Sequence, residues 1–312
     1  MTFRSLARFT LSAVVFAAFV PGARGQQARP DLLVSTGWLA AHLNDPGLVL
    51  LHVGSKKDYE AEHIPGARFV SLNDISTKMD HDKPDALMLQ MPASEELRTR
   101  LAALGISDNS RVIVYYGTDW VTPATRVVFT LDYAGLGART SLLDGGMSTW
   151  KREGHNVTAE KSIERQGSLS ALRVRPIIVD ADYVKSHIGK RGISVVDGRA
   201  ASFYDGIETG EGMRSKHKTG HIAGAKSVPY TEITDDNLIF RTREQLAEIF
   251  AKAGVQPGDT IVGYCHIGQQ ATGMLFAGRL LGHPVLLYDG SFEDWSKHPA
   301  SYAVEVSTKG TK

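Results

Sequence analysis

The chain is nearly without cysteine: Cys265 is the single one in 312 residues. One thiol cannot close an internal disulfide, so no covalent staple holds this fold. An excess of either charge is also missing. Lysine and arginine number 35 and aspartate and glutamate 34, for a formal net charge of +1. That balance supplies no field for nucleic acid or an anionic membrane surface, and neither is expected as a partner. Apolar runs of spanning length are absent beyond the N-terminus, so the mature chain is expected to hold no membrane helix. No cofactor and no metal is expected either. What is present is ordinary for a packed α/β protein: 42% hydrophobic and 22% charged residues, enough for two domains of usual size.

The N-terminus, "MTFRSLARFTLSAVVFAAFVPGARG", stands apart. Arg4 and Arg8 precede an apolar stretch from Phe9 to Val20, and small residues follow. Ala23 and Gly25 fit a cleavage site that would leave Gln26 as the first mature residue. The order is that of a secretory signal peptide over residues 1–25, which implies a periplasmic or secreted protein. An uncleaved anchor is the alternative, but the apolar stretch falls short of the roughly 20 residues a bilayer needs. In an exported chain, a lone thiol is either a buried filler or a reactive group.

Beyond this segment the chain repeats itself, in the same order each time. "LLHVGSKKDYE" (50–60) matches "VVDGRAASFYD" (195–205), and "EHIPGARFVSL" (62–72) matches "GHIAGAKSVPY" (220–230). "SEELRTRLAALGI" (94–106) matches "REQLAEIFAKAGV" (243–255). "SRVIVYYG" (110–117) matches "DTIVGYCH" (259–266), and "LLDGGMSTWKREG" (142–154) matches "LYDGSFEDWSKHP" (287–299). So long a period means two copies of one domain, not a solenoid. The copies are expected over 32–156 and 177–305, joined by a polar linker over 157–176; Asn156-Val157-Thr158, where the first copy meets the linker, is a formal glycosylation acceptor.

Within the second copy, 193–197, 260–264 and 284–289 are short, rich in Val, Ile and Leu, and bounded by Gly or Asp. They read as buried parallel strands. Residues 242–255 carry a helical apolar stripe, with Thr242 as N-cap and Gln245 at the capping-box position. Residues 269–282 read as a second helix, closed by Gly282. The predicted fold class is α/β: two tandem domains, each a parallel sheet flanked by helices.

"YCHIGQQATG" (264–273) places Cys265 between a strand and a helix. That is the crevice at the carboxyl end of a parallel sheet, where such folds bind ligands. A helix N-terminus offers unpaired N–H groups and partial positive charge, both of which favour a thiolate. Gly268 in the intervening loop lets successive N–H groups turn toward the sulfur. The first copy has Tyr116 or Gly117 where the second has Cys265, and His52 and Gly54 where it has Asp197 and Arg199. Only the second copy holds the chemical groups. Asp197 and Arg199 could still be a plain surface ion pair. His221 reads as a packing residue, because its counterpart His63 lies in the copy without a thiol.

"HIPGA", "HIAGA", "YCHIGQQAT" and "LYDGSFEDW" together make the chain similar to the tandem-domain rhodanese family of thiosulfate and 3-mercaptopyruvate sulfurtransferases, over almost everything after residue 25. The resemblance implies an inactive N-terminal copy and a catalytic C-terminal one. It implies that Cys265 takes sulfur from a small anionic donor such as thiosulfate as a persulfide, then passes it to cyanide or a thiol. The loop of His266, Ile267, Gly268, Gln269 and Gln270 would stabilise that persulfide through its N–H groups. Arg199 and Arg214 would bind the donor, with Asp197 behind Arg199.

The loop departs from both family patterns. His266-Ile267 replaces the Arg-Lys of thiosulfate-type loops and is not the Gly-Ser-Gly of mercaptopyruvate-type ones. Ser71 stands where mercaptopyruvate enzymes use an Asp. Thiosulfate is the preferred donor; 3-mercaptopyruvate, or a persulfide carrier without turnover, remains open. A cysteine phosphatase would need an arginine six residues after the thiol, where this chain has Ala271.

Overall fold

The computed structural model describes residues 32–78, 83, 86–118, 120–163, 165–210 and 217–307. Arg214, Lys216 and the expected cleavage site lie outside them.

The first copy runs β1 (Leu33–Val34), α1 (Thr36–His42), β2 (Leu48–Val53), α2 (Lys56–Ala61), β3 (Arg68–Val70), α3 (Ser94–Ala103), β4 (Arg111–Tyr116), α4 (Thr122–Tyr133), β5 (Thr140–Leu143) and α5 (Gly146–Arg152). The second runs β6 (Ile178–Val179), α6 (Ala181–His187), β7 (Ile193–Asp197), α7 (Ala201–Tyr204), β8 (His221–Ile222), β9 (Lys226–Ser227), α8 (Arg243–Lys252), β10 (Thr260–Tyr264), α9 (Gln270–Leu281), β11 (Val285–Tyr288), α10 (Ser291–Lys297) and β12 (Val304–Glu305). Each copy builds a five-stranded sheet, in the orders β1-β5-β4-β2-β3 and β6-β11-β10-β7-β9. Every pairing within these two sheets is parallel. The sheets are the same sheet twice, as the repeat requires.

Parallel strands must be covered on both faces, which explains their apolar runs. Val195, Val196, Ile261 and Val262 are all buried. Helix α8 starts on the capping box read from the sequence. The Thr242 hydroxyl accepts from Gln245 N at 3.3 Å, and the Gln245 side chain accepts from Thr242 N at 3.1 Å. Such a cap is worth about 1 kcal/mol.

Two apolar clusters are private to one copy each: one around Leu39, Ile113, Tyr115 and Trp150, the other around Val195, Tyr264, Phe292 and Trp295. A third is shared, running from Val114 and Val127 of the first copy to Met274 and Leu275 of the second. The copies therefore meet through a continuous core, with α4 packed on α9. Near the middle of that contact the hydroxyls of Thr125 and Thr272, one from each copy, lie 3.0 Å apart.

The linker is bound rather than loose. His63 N donates to Thr158 O at 2.8 Å, Gly167 N to Ala102 O at 2.8 Å and Arg175 N to Tyr133 O at 2.8 Å. It straps the first copy before entering the second.

Candidate active site

Strand β10 ends at Tyr264, and the chain then turns through 265–269 into α9. The side chain of Tyr264 is tied down: its hydroxyl accepts from Ile222 N at 3.0 Å. Tyr115 does the same in the first copy, accepting from Ile64 N at 3.1 Å. The next residue is Tyr116 in one copy and Cys265 in the other, so the structure settles on Tyr116, not Gly117, as the counterpart of the thiol.

Cys265 is buried. The segment after β11 clamps it. Cys265 N donates to the Ser291 hydroxyl at 3.2 Å, Phe292 N donates to Cys265 O at 3.0 Å and Glu293 N donates to His266 O at 3.0 Å. Ser291 holds a left-handed backbone, φ +53°, a conformation that costs about 1 kcal/mol or more and persists where surroundings over-determine it. Its hydroxyl closes the arrangement by donating to Tyr288 O at 2.9 Å.

The backbone N–H groups of His266 to Gln270 donate to no protein acceptor among the described residues. Gly268 turns the loop with φ +81°, and a Cβ there would stand 3.0 Å from Asp289 O and 3.1 Å from Arg126 Nη1. Unpartnered N–H groups at the start of α9, next to a thiol, make a ready anion site. Gln269 turns its side chain toward the first copy, where its amide donates to the Thr122 hydroxyl at 3.1 Å.

Asp197 and Arg199 are not a surface pair. They are 0% and 2% exposed. Asp197 takes Arg199 N at 2.9 Å, Nε at 3.0 Å and Nη2 at 2.6 Å, and Nη2 also donates to Gly220 O at 2.7 Å. Burial works against the guanidinium charge, yet the Asp197 carboxylate pushes its pKa up overall. The guanidinium lies 4.1 Å over the Phe292 ring, and its field reaches Cys265. Arg199 is thus a fixed positive charge beneath the loop.

His221 stacks on Tyr204 at 3.6 Å, and its Nδ1–H donates to Tyr204 O at 2.7 Å. His63 repeats this against Tyr59, at 4.1 Å and 2.7 Å. A contact present in both copies is packing, as expected of His221.

Several residues at the site had not been singled out from the sequence. Arg126, on α4 of the first copy, is 0% exposed. Its Nη1 donates to Gly268 O at 3.0 Å and pairs with Asp289 Oδ1 at 2.8 Å, while Nη2 donates to Leu89 O at 2.6 Å. The strap around Leu89 lies over the second copy: Met88 N donates to Glu293 at 3.0 Å and Met91 N to Asp289 at 2.7 Å. His217 approaches His266, with ring centroids 5.7 Å apart. Ser291 could have been found, since the repeat alignment sets it against Gly146. Arg126 could not, because its partners are far away in sequence.

The Rhodanese-like domain family matches residues 35–153 and again 180–298. The chain belongs to the rhodanese family. Both halves match, and Cys265 lies within the second. Thiosulfate sulfurtransferase from Cricetulus griseus is 30% identical over 292 residues, covering 88% of this chain and 95% of its own. A probable 3-mercaptopyruvate sulfurtransferase from Pseudomonas aeruginosa is 31% identical, covering 86% and 95%. Among solved structures, Escherichia coli SseA, described as a 3-mercaptopyruvate sulfotransferase, superposes with a TM-score of 0.71 at 27% identity, over 83% of this chain and 98% of its own. This rhodanese is a sulfurtransferase with one donor and one acceptor to accommodate. Among its described residues no helix is long and apolar enough to cross a membrane.

Proposed function

We propose that the enzyme moves sulfane sulfur from thiosulfate to cyanide or a small thiol through a persulfide on Cys265. The observation that carries this is the pairing of one buried thiol with the unpartnered N–H groups of 266–270. In the first half-reaction the Cys265 thiolate attacks the outer sulfur of thiosulfate. The donor's S–S bond breaks and sulfite leaves with its electron pair. The new persulfide ends in a negative sulfur, which the loop N–H groups and the fixed charge of Arg199 stabilise. In the second, the acceptor attacks that outer sulfur and the Cys265 thiolate is restored. No proton moves when cyanide accepts.

Sulfite release from thiosulfate with cyanide present tests the proposal. Saturable sulfite and thiocyanate production in equal amounts is expected, and no release from the folded protein would overturn it. A second donor, 3-mercaptopyruvate, is favoured by one observation: the loop begins His266-Ile267, without the Arg-Lys of thiosulfate-type enzymes. Pyruvate release in the same assay measures it directly.

The order of charged, apolar and small residues over 1–25 supports export with cleavage before Gln26. Sequencing the exported protein's N-terminus checks this; a start at Met1 would overturn it.

A further inference from the structure

Two imidazoles flank the nucleophile and neither is used by the chemistry above. His266 is 4% exposed and His217 6%. Among the described residues, His266 Nδ1 and both nitrogens of His217 have no hydrogen-bond partner. The two rings tilt 31° to each other, Phe203 meets His266 edge-on at 4.5 Å, and Phe292 meets His217 edge-on at 6.1 Å. Leaving a buried polar atom without a partner costs about 1–3 kcal/mol, so three in one place need an explanation. Solitary burial does not supply one. His52 in the first copy is also unpartnered among the described residues, but it is boxed by Tyr59, Phe69 and Tyr115, and the neighbouring imidazole, His63, is itself stacked on Tyr59 and hydrogen-bonded to Tyr59 O. The catalytic copy differs in having a pair of rings, a nucleophile beside them and a guanidinium below.

We propose that His217 and His266 form the recognition pair for the oxyanion half of the sulfur donor, each donating an imidazole N–H to one of its oxygens. The proposal rests on the sulfur-transfer reading and assigns the substrate contact within that site. Each neutral imidazole carries one N–H donor and one acceptor, and the SO3 group of thiosulfate offers several acceptor oxygens. The rings face charged neighbours from each element packed around them: Arg199 beside both, and Glu293 and Lys297 beside His217. Burial first, then the Arg199 charge and His217, holds His266 down to about pKa 3. Burial also lowers His217, against the pull of Glu293. At neutral pH both are therefore neutral donors, preformed and not needing to be stripped of water.

His217 lies between residues 205 and 220, where the first copy has the single residue Ala61, so its imidazole has no counterpart there. Placing a neutral N–H where relatives carry a cation would favour a donor that brings many acceptor oxygens.

Thiosulfate binding to Cys265→Ser, which cannot react, tests this without turnover. His217→Phe and His266→Phe in that background are each expected to raise the thiosulfate Kd about ten- to a hundredfold, and His217→Asn, which keeps an N–H donor, to recover most of it. Nitrogen-15 signals of the two imidazoles in Cys265→Ser should move on titration with thiosulfate and less with pyruvate, a readout that needs no histidine variant to fold. Unchanged Kd values in both variants, or still signals, would overturn the proposal. Turnover separates the two ideas. If the wild type releases sulfite but the variants keep its KM, only the histidine assignment falls. If the wild type releases none while the variants lose thiosulfate, the pair stands and the sulfur-transfer reading falls.

Discussion

Tyr116 and Cys265 occupy one position in two copies of a single fold, and the residue facing each has changed with it. Opposite Tyr116 stands Gly146, φ +50°; opposite Cys265 stands Ser291, φ +53°. A Cβ on Gly146 would lie 2.6 Å from the Tyr116 ring and 2.7 Å from its carbonyl. The tyrosine fills its site and leaves room only for glycine. The cysteine leaves space, and that space holds a serine whose hydroxyl receives the Cys265 N–H.

The copies also serve each other unequally. Leu89 and Leu238 both take left-handed backbones, φ +54° and +59°, and each lends its carbonyl to a side chain of the first copy. Leu238 O accepts from the Tyr116 hydroxyl at 2.6 Å, while Leu89 O accepts from Arg126. Arg126 and Gly273 sit at the same place relative to Gly135 and Gly282, the glycines that end α4 and α9. Thus the first copy sends Arg126 to the loop that follows Cys265, while the second sends Arg279 back to Asp132 of α4, at 3.5 Å.

The largest effect expected on this contrast comes from Cys265→Ser, which should lower sulfur transfer by on the order of 10³ or more, with the fold unchanged. Adding Tyr116→Cys to that variant should restore nothing, because the first copy has Gly54 where the second has Arg199. Sulfite release near the wild-type rate from either protein would break the proposed division of labour between the copies.

Arg126→Met comes next. Removing one partner of a buried ion pair leaves Asp289 uncompensated, a loss of about 3–5 kcal/mol, and frees Gly268 O. Urea unfolding should show the lost stability, and kcat per folded molecule should fall about tenfold or more as the loop loses its anchor. A normal kcat in the folded fraction would mean that Arg126 holds the copies together without positioning the loop.

Gly146→Ser sharpens the comparison at its smallest scale. A Cβ inside the Tyr116 ring forces a shift and should cost about 2–4 kcal/mol. Combining it with Tyr116→Cys should cost less than the two changes summed, since the serine then finds the space it has in the other copy. Chemical denaturation of the three variants gives the coupling directly; strict additivity would disprove the exchange of size between the facing positions.

Much of this arrangement was legible in the sequence because it is local. Strands 193–197 and 260–264, the Thr242 cap and the turn at Gly268 follow from apolar runs, capping chemistry and one glycine, and the repeat exposed Cys265 by comparison. Arg199 was found, but its burial against Asp197 and Gly220 O was not, since the spacing of Asp197 and Arg199 fits an exposed pair equally well. Arg126 and the Leu89 strap depend on how two domains dock, and the approach of His217 to His266 depends on tertiary packing within the second copy. No periodicity reports that, and the residues concerned are far apart in the chain.

A shared feature gives the last and smallest effect. Each copy keeps a buried neutral imidazole, His52 on β2 and His266 just after β10. Burial, then the neighbouring His63, lowers His52 from 6.5 to about 4 against the pull of Asp58; burial and Arg199 lower His266 to about 3. Above pH 6.5 both are neutral whether folded or not, and their contribution to stability is fully present. As pH falls below 6.5, the unfolded chain takes up protons that the native state refuses, so stability is lost down to about pH 4 for His52 and about pH 3 for His266. At pH 5 each costs about 2 kcal/mol. His52→Phe removes that term in the first copy, where the ring has no hydrogen-bond partner among the described residues and aromatic neighbours suit a phenyl group. The variant should match the wild type at pH 7 and exceed it by about 2 kcal/mol at pH 5 in urea unfolding, with sulfur transfer unchanged. Parallel stability curves from pH 7 to 5 would show that His52 takes up its proton in the folded protein, and that its box of Tyr59, Phe69 and Tyr115 does not keep it neutral.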